Sequence, residues 1–193
     1  MSSLVSTNPR QHLTERQAQT VERLTAAAVT ELRDGGYDGL TVRNVARRAG
    51  VAPATAYNYF TSKDHLVTEV FWRRLAALPD RRHDGRSTAR SRLHAALADI
   101  ALLVADEPEL GAACTIAMLG SDPDVARLRD RIGAEMHRRA AEALGPDADP
   151  VVLRTLDLLL TGALVHAGMG HLAYTDLPEL LAEASSTVLG GPR

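Results

Sequence analysis

The sequence predicts an all-α protein of about nine helices. Apolar residues recur at spacings of three and four along most of the 193 residues, which is the period of a helix that buries one face. Two of these segments begin with an acidic residue followed by proline, a common start of a helix. No Asn-Gly pair joins alternating apolar segments and no internal repeat is visible, so we expect neither hairpins nor a repeat architecture.

The first helix is predicted to begin at Thr14, which forms a capping-box pattern with Gln17. The polar residues before it, 1–13, are expected to form a flexible arm. The apolar residues of this first helix recur at helical spacing and are Val21, Leu24, Ala28 and Leu32. The sequence DGGYDG, residues 34–39, should end this helix.

Two short helices separated by a glycine are predicted next, within VRNVARRAGVAPATAYNYF, residues 42–60. Gly50 lies where the chain must turn sharply, and glycine enters the left-handed region without strain. Pro53 suits the first turn of the second short helix, which has about seven residues and is too short to be stable alone. Ala56 and Phe60 lie one turn apart, so we expect them to form its buried side.

A fourth helix is predicted to begin near Thr61 or Ser62 and to end at Pro79. The polar, breaker-rich stretch PDRRHDGRS follows it, and such a stretch is typical of a boundary. We therefore expect one domain over residues 14–79 and a second over residues 80–193.

The second domain is predicted to be helical from about Ser87 onward. Helix starts are indicated at Asp122, Asp149 and Asp176. The segment LDLLLTGALVHAGMGHLAY is apolar on several faces and rich in small residues, so it should be buried on more than one side. One side can face its own domain and the other a second subunit; a central core helix in a monomer is the alternative.

Composition and charge limit the class of protein. Hydrophobic residues make up 45% and charged residues 24%, as in soluble globular proteins. No apolar run of about 18–20 residues and no signal-peptide pattern is evident, so we expect a cytoplasmic protein without a membrane partner.

Cys114 is the only cysteine, which excludes an intrachain disulfide. Residues 1–82 hold 12 basic and 8 acidic side chains, against 10 and 16 in residues 83–193, so the N-terminal part suits a polyanion.

The short helix after Gly50 carries side chains that suit the major groove of DNA. Thr55 and Asn58 can reach base edges, and a methyl group such as that of Ala54 can meet thymine. Hydroxyl and cationic groups nearby suit phosphates, which set register without reading sequence. The predicted DNA contacts are Thr41, Arg43, Ala52, Pro53, Ala54, Thr55, Tyr57, Asn58, Tyr59 and Lys63. Arg47 and Arg48 can equally form a solvated face.

The stretch LTVRNVARRAGVAPATAYNYFTSKDHLVTEV, residues 40–70, resembles the DNA-binding segment of the TetR family of bacterial transcriptional regulators. The family pattern includes Ala-Gly-Val-Ser, Tyr-x-Tyr/His-Phe and x-Lys-x-x-Leu. Two positions depart from it, because Ala52 stands at the usual serine cap and Ala56 at a usual bulky apolar residue. The resemblance implies an N-terminal helix–turn–helix domain and a C-terminal helical domain that binds a ligand and dimerises.

The resemblance also implies a small, largely apolar effector held in the C-terminal domain. Candidate contacts are Trp72, Cys114, Met118, His166 and Met169, although such residues are equally at home in an ordinary core. We expect neither a cofactor nor a metal. His166 and His171 are five residues apart and so should not share a helix face.

Dimers of the family pack their last two long helices into a four-helix bundle, and this resemblance implies the same here. The candidate interface residues are Leu156, Leu159, Ala163, His166, Ala167, Gly170, Leu180 and Leu181.

These observations together predict a homodimeric, ligand-responsive repressor that binds a palindromic operator. The resemblance implies that effector binding moves the fourth helix, and with it the DNA-binding heads. Two alternatives differ in class. One is a DNA-binding module controlled by a protein partner; the other, a helical enzyme, is not expected because no phosphate loop, metal-ligand spacing or nucleophile elbow is found.

Overall fold

The computed structural model describes residues 15–81 and 87–190, and in these ranges the chain forms nine α-helices and no strand. The predicted arm, residues 1–13, lies outside the described residues. The helices are α1 Glu15–Gly39, α2 Val42–Arg48, α3 Pro53–Tyr59, α4 Lys63–Ala77, α5 Ala89–Ala101, α6 Pro108–Met118, α7 Pro123–Leu144, α8 Pro150–Gly168 and α9 Leu177–Val188. Short 3₁₀ turns over Leu102–Val104 and Tyr174–Asp176 complete the described elements. The all-α prediction is confirmed.

Helix α1 continues beyond its predicted end, but with a kink. Gly36 has a φ of 65° and a ψ of -174°, outside the helical region, and a short helical segment follows as far as Gly39. A residue with a Cβ would be strained at this φ. The glycine pair of the DGG sequence therefore redirects the helix, and Leu40 enters the core immediately afterwards.

The turn between α2 and α3 forms as the sequence predicts. Gly50 has a φ of 63°, and the amide of Val51 donates to the carbonyl of Ala46 at 2.9 Å, which closes the turn. Val51 fills the angle between the helices, and Ala46 is fully buried beneath α3. Helix α2 begins at Thr41, whose hydroxyl accepts the amide of Asn44 at 3.0 Å.

Helix α4 packs against α1, α6 and α7. Its buried residues therefore belong to one continuous core that reaches from the short helices into the C-terminal domain. In that domain α5 packs on α7 and α9, and α6 packs on α8. The N-terminal helices are thus joined to the rest of the fold through α4 and through α1, which also packs on α6.

Helix α8 is long and apolar enough, by length and composition, to cross a membrane, and among the described residues no other helix is. The expectation that no segment approaches this length was therefore wrong. The core helix of a soluble protein meets the same test, so this property by itself is weak evidence of a membrane.

Candidate nucleic-acid interface and ligand cavity

Helix α3 is held from below by two side chains. Ala56 is fully buried and Phe60 is 2% exposed, as their one-turn spacing predicts. The helix has no side-chain cap, because Ala52 stands at the N-cap and Pro53 occupies the first turn. A seven-residue helix needs such support from a neighbouring core.

The outer face of α3 is small and polar. Its exposed residues are Pro53, Ala54, Thr55, Tyr57 and Asn58, with Ala52 just before them. Tyr57 is 50% exposed, a large fraction for an aromatic side chain. This face can enter a major groove, and Thr55 and Asn58 offer it hydrogen-bonding groups.

The arginines of α2 fall into two groups. Arg48 donates to Glu31 and Asp34 of α1, each at 2.5 Å, so its guanidinium ties α2 to α1. These carboxylates raise the pKa of Arg48. Arg43 is exposed and makes no ion pair within the described part of the chain, which leaves its charge available to a phosphate.

Lys63 and Tyr59 have structural contacts that the sequence does not reveal. The Lys63 ammonium donates to the carbonyl of Tyr37 at 2.9 Å and lies 3.9 Å from the centroid of the Tyr37 ring. The Tyr37 hydroxyl in turn donates to Asp64. Tyr59 is half-buried and packs against the core. Both residues therefore help to join α3 and α4 to the rest of the fold, whatever contact they make with DNA.

A cavity of about 240 Å³ lies between α4, α6, α7 and α8. Phe71 contributes α4's part of its wall. Two predicted effector contacts, Cys114 and Met118, are in the wall. The full lining is Phe71, Val104, Gly111, Cys114, Thr115, Met118, Leu119, Arg129, Ile132, Gly133, Met136, Thr161, Leu164, Val165 and Tyr174.

The structure places the other three effector candidates outside this cavity. The Trp72 ring is covered by the Arg131 guanidinium, 4.3 Å from its centroid. Met169 is 52% exposed just beyond the end of α8, and His166 faces a separate groove on the outer side of the domain. The prediction that these residues belong to one apolar pocket is corrected by this geometry.

Two buried groups in the cavity wall are neutral at physiological pH. Burial raises the pKa of the Cys114 thiol to about 12, and the thiol donates to the carbonyl of Val67 at 3.6 Å. Burial likewise raises the pKa of Tyr174 to about 12. The Tyr174 ring packs closely on α6 because Gly111 has no side chain; a Cβ there would lie 2.2 Å from the hydroxyl oxygen.

A second, open groove of about 640 Å³ runs between α8 and α9 on the outer surface. Five of the predicted dimer residues line it: Leu159, Ala163, His166, Leu180 and Leu181. Leu156 and Ala167 are instead buried in the chain's own core, and Gly170 lies outside the groove. Leu158, which is 76% exposed and lines the groove, was missed although its position two residues after Leu156 indicated an opposite face.

Helix α7 holds α4 at both ends. At the start of α4 the Ser62 hydroxyl donates to Asp122 at 2.5 Å, and the neighbouring Thr61 donates to Asp124 at 2.7 Å. At the end of α4 the Arg139 guanidinium donates to the carbonyl of Leu78 at 2.8 Å. The two helices thus run parallel, with the cavity between these attachments.

His166 and His171 lie closer together than expected from their spacing. Their ring centroids are 5.7 Å apart, because α8 ends at Gly168 and the chain turns back, with the amide of His171 donating to the carbonyl of His166 at 3.0 Å. Among residues 15–81 and 87–190 there is no group of three or more metal-ligating side chains.

These features define a helix–turn–helix DNA-binding protein with a ligand-sized cavity. Residues 24–70 match the model of the bacterial regulatory proteins of the tetR family. A Mycobacterium tuberculosis protein described as an uncharacterised HTH-type transcriptional regulator is 44% identical, over 98% of this chain and 94% of the relative. The repressor KstR of Mycolicibacterium smegmatis is 32% identical, over 70% of this chain and 68% of that protein. The chain therefore belongs to the TetR family of bacterial transcriptional regulators.

Solved structures have the same fold. A TetR transcriptional regulator from Rhodococcus sp. RHA1 has a TM-score of 0.75 at 20% identity, over 93% of this chain and 100% of that one. The regulator FadR from Bacillus subtilis, solved in complex with stearoyl-CoA, has a TM-score of 0.61 at 17% identity, over 85% of this chain and 96% of that one. At these sequence identities the structural similarity supports a common fold and nothing more.

Proposed function

We propose that this regulator is a cytoplasmic, homodimeric repressor that binds a palindromic operator and releases it when a small, largely apolar ligand enters the cavity. The observation that carries the proposal is that α4 joins both sites. It follows directly on α3 through residues 60–62, and it supplies Phe71 to the cavity wall.

The proposed DNA contacts divide into two kinds. Thr55 and Asn58 contact base edges from the outer face of α3, while Thr41, Arg43 and Tyr57 contact phosphates at its sides. Ala52, Pro53 and Ala54 let the start of α3 approach the groove closely. Tyr59 and Lys63 support this surface through their contacts with the fold.

A second copy of the chain is proposed to cover the groove between α8 and α9. Exposed Leu158 and Leu180 flank Gly162 and Ala163, whose small side chains allow a helix to approach closely. Two-fold symmetry would then place two α3 helices in successive major grooves of a palindromic site.

Ligand binding is proposed to shift a population between two packings of α4. In one packing the two α3 helices of the dimer have the separation that the operator requires, and in the other they do not. A ligand between α4 and α7 that favours the second packing must weaken operator binding. The operator must weaken ligand binding by the same factor. FadR from Bacillus subtilis, which has this fold, was solved in complex with stearoyl-CoA, a molecule with a long apolar chain, and this supports a ligand-binding role for the fold.

The experiment is fluorescence-anisotropy binding to DNA from the gene's own upstream region, with a scrambled duplex and varied salt as controls. We expect tight, salt-sensitive binding that prefers the native duplex. The double variant Thr55→Ala, Asn58→Ala should lose that preference by about 10- to 100-fold, since a good base contact contributes about 1–3 kcal/mol. Thr155→Ala on α8 is the matched control and should bind like the unmodified protein.

Arg43→Ala should weaken binding to both duplexes alike and lower the salt slope by about one. Equal, weak binding of the unmodified protein to both duplexes and to a genome-wide selected pool would overturn the proposal. Operator binding that responds to no ligand would favour control by a protein partner.

A further inference from the structure

The cavity that the proposed function assigns to a ligand has one charged residue in its wall. Arg129 is that residue; the remaining lining side chains are apolar, small or neutral hydroxyl and thiol groups, and no carboxylate lines the cavity within the described residues. A ligand for this cavity therefore meets an apolar interior and a single positive charge.

Arg129 lies on the face of α7 that points toward the cavity. It precedes Ile132, Gly133 and Met136 by three, four and seven residues, and all four line the cavity, as residues on one helix face should. Ile132 and Met136 are buried, whereas Arg129 is exposed. The guanidinium thus lies at an exposed position of this face, about one turn before the buried side chain of Ile132.

The neighbouring arginines of α7 contact a carboxylate or an aromatic ring, whereas Arg129 contacts a backbone carbonyl. Arg127 forms an ion pair with Asp124, and Arg131 covers the Trp72 ring. The Arg129 guanidinium reaches only the carbonyl of Gly120, at 3.5 Å, and in residues 15–81 and 87–190 no carboxylate lies within ion-pair distance of it. An unpaired guanidinium beside an apolar cavity can form a charge-assisted, bidentate pair with a carboxylate.

Two of the hydroxyl groups in the wall, those of Thr115 and Tyr174, are hydrogen-bonded within the protein. Thr115 donates to the carbonyl of Gly111 at 3.1 Å, and the Tyr174 hydroxyl is hydrogen-bonded to Thr115. They can orient a neutral group but contribute no charge. Recognition of charge in this cavity therefore depends on Arg129.

Building on the proposed function, we infer that the ligand is an apolar carboxylic acid, with its hydrocarbon body between α4, α6, α7 and α8 and its carboxylate paired with Arg129 at the mouth. The volume of about 240 Å³ limits the buried body to a small or medium-sized group.

The test compares acids with their own primary amides, which are similar in shape but uncharged. Octanoate, decanoate and cyclohexanecarboxylate, each beside its amide, would be titrated into the full chain by calorimetry. We expect at least one acid to bind about tenfold more tightly than its amide, because a hydrogen bond between a guanidinium and a carboxylate is stronger than one to a neutral amide. Added salt should reduce this preference.

Three variants locate the preference. Arg129→Gln should abolish the preference for the acid, while Arg127→Gln, two residues away and outside the cavity wall, should keep it. Gly133→Leu should weaken acid and amide alike, since a Cβ at this position meets no atom within 4 Å and the longer side chain can fold into the cavity. Leucine also favours a helix more than glycine does, so this variant is expected to remain folded.

The outcomes separate this inference from the proposed function. Equal binding of acid and amide, retention of the preference in Arg129→Gln, or no binding by any acid would overturn the inference. If a neutral compound still binds, is blocked by Gly133→Leu and releases the operator, the ligand-responsive regulator stands and only the acid is wrong. If acids bind through Arg129 but leave operator binding unchanged, the inference holds and the proposed regulation fails.

Discussion

The two ends of α4 are attached to α7 in different ways. At its beginning, hydroxyl groups of Ser62 and Thr61 meet the carboxylates of Asp122 and Asp124 at a partly exposed surface. At its end, the guanidinium of Arg139, only 8% exposed, donates to the carbonyls of Leu75, Leu78 and Pro79. The first attachment depends on small neutral donors, and the second on a buried charge.

This difference indicates which end of α4 can move. The Arg139 attachment is backed by an ion pair with Glu135 at 2.7 Å, so moving the end of α4 would break several bonds to a buried charge. The two hydroxyl–carboxylate bonds to α7 at the beginning of α4 are partly exposed, so water can replace them, and the contacts of Lys63 and Asp64 with Tyr37 attach this end to α1 instead. Helix α4 is about 22 Å long by its rise per residue, so a tilt of about 5° at the fixed end moves α3 by about 2 Å.

The largest expected effect is that of Arg139→Met. It removes the bonds to the end of α4 and leaves the Glu135 carboxylate without one of its partners, so we expect a loss of about 3–5 kcal/mol in the free energy of unfolding. Urea unfolding followed by circular dichroism, at fixed protein concentration, measures it. Arg138→Met is the control, since the more exposed Arg138 makes surface ion pairs worth about 0–1 kcal/mol each. Equal losses in the two variants would contradict a special role for Arg139.

A smaller effect is expected for Asp122→Ala. Asp122 caps α7 by accepting the amide of Asp124 at 2.8 Å, and loss of such a cap costs about 1–2 kcal/mol. The variant also loses the bond to Ser62, so its operator affinity and its response to ligand should change. Asp149→Ala is the matched control, because Asp149 caps α8 before a proline in the same way, but among the described residues its carboxylate accepts only the amide of Val151.

Comparable destabilisation is expected for the two aspartate variants, with altered operator binding in Asp122→Ala alone. If both variants bind the operator like the unmodified protein, the attachment at the beginning of α4 does not transmit ligand binding to DNA.

The same contrast shows how far the sequence could predict the structure. Asp122 followed by Pro123 indicated a helix start, and a helix does start there. Its partner Ser62 lies 60 residues earlier, and no local pattern joins the two. Likewise the turn at Gly50 depends on neighbouring residues and was predictable, whereas the Lys63 contact with Tyr37 depends on how α1 and α4 pack.

The cavity was the least predictable feature, because helical spacing does not separate a cavity wall from a filled core. Trp72 was predicted as a candidate effector contact, with an ordinary core position as the alternative, and the Arg131 guanidinium covers its ring. A usable signal was present in α7, where Gly133 follows Arg129 by one turn and removes a side chain from an otherwise apolar face. The apolar α8 segment already predicted a second subunit from the sequence, whereas the 76% exposure of Leu158 is known only from the structure.

The smallest expected effect is a change in the stability of the fold at low pH. The hydrogen bond from Ser62 is the largest cause that lowers the pKa of Asp122 in the folded chain, so the ionised pair stabilises the fold above the unfolded pKa of about 3.9. This contribution is lost as pH falls through the lower, folded pKa. We expect Ser62→Ala to have a lower free energy of unfolding than the unmodified protein at neutral pH. This gap in the free energy of unfolding should narrow in acid by less than about 1 kcal/mol, because the pair is partly exposed.

Urea midpoints over an acid titration measure this gap, with Ser121→Ala, an exposed serine beside Asp122, as control. Other carboxylates with a lowered pKa, such as Glu135 beside Arg138, titrate in both proteins and cancel in the difference. Ser62 also caps α4 by accepting the amide of His65 at 3.0 Å, and that contribution does not depend on Asp122. A residual gap in acid therefore measures the cap alone. A gap that stays constant with pH would mean that the Ser62–Asp122 bond contributes no more than water does, and the Thr61–Asp124 bond would then be the hydrogen bond that attaches the beginning of α4 to α7.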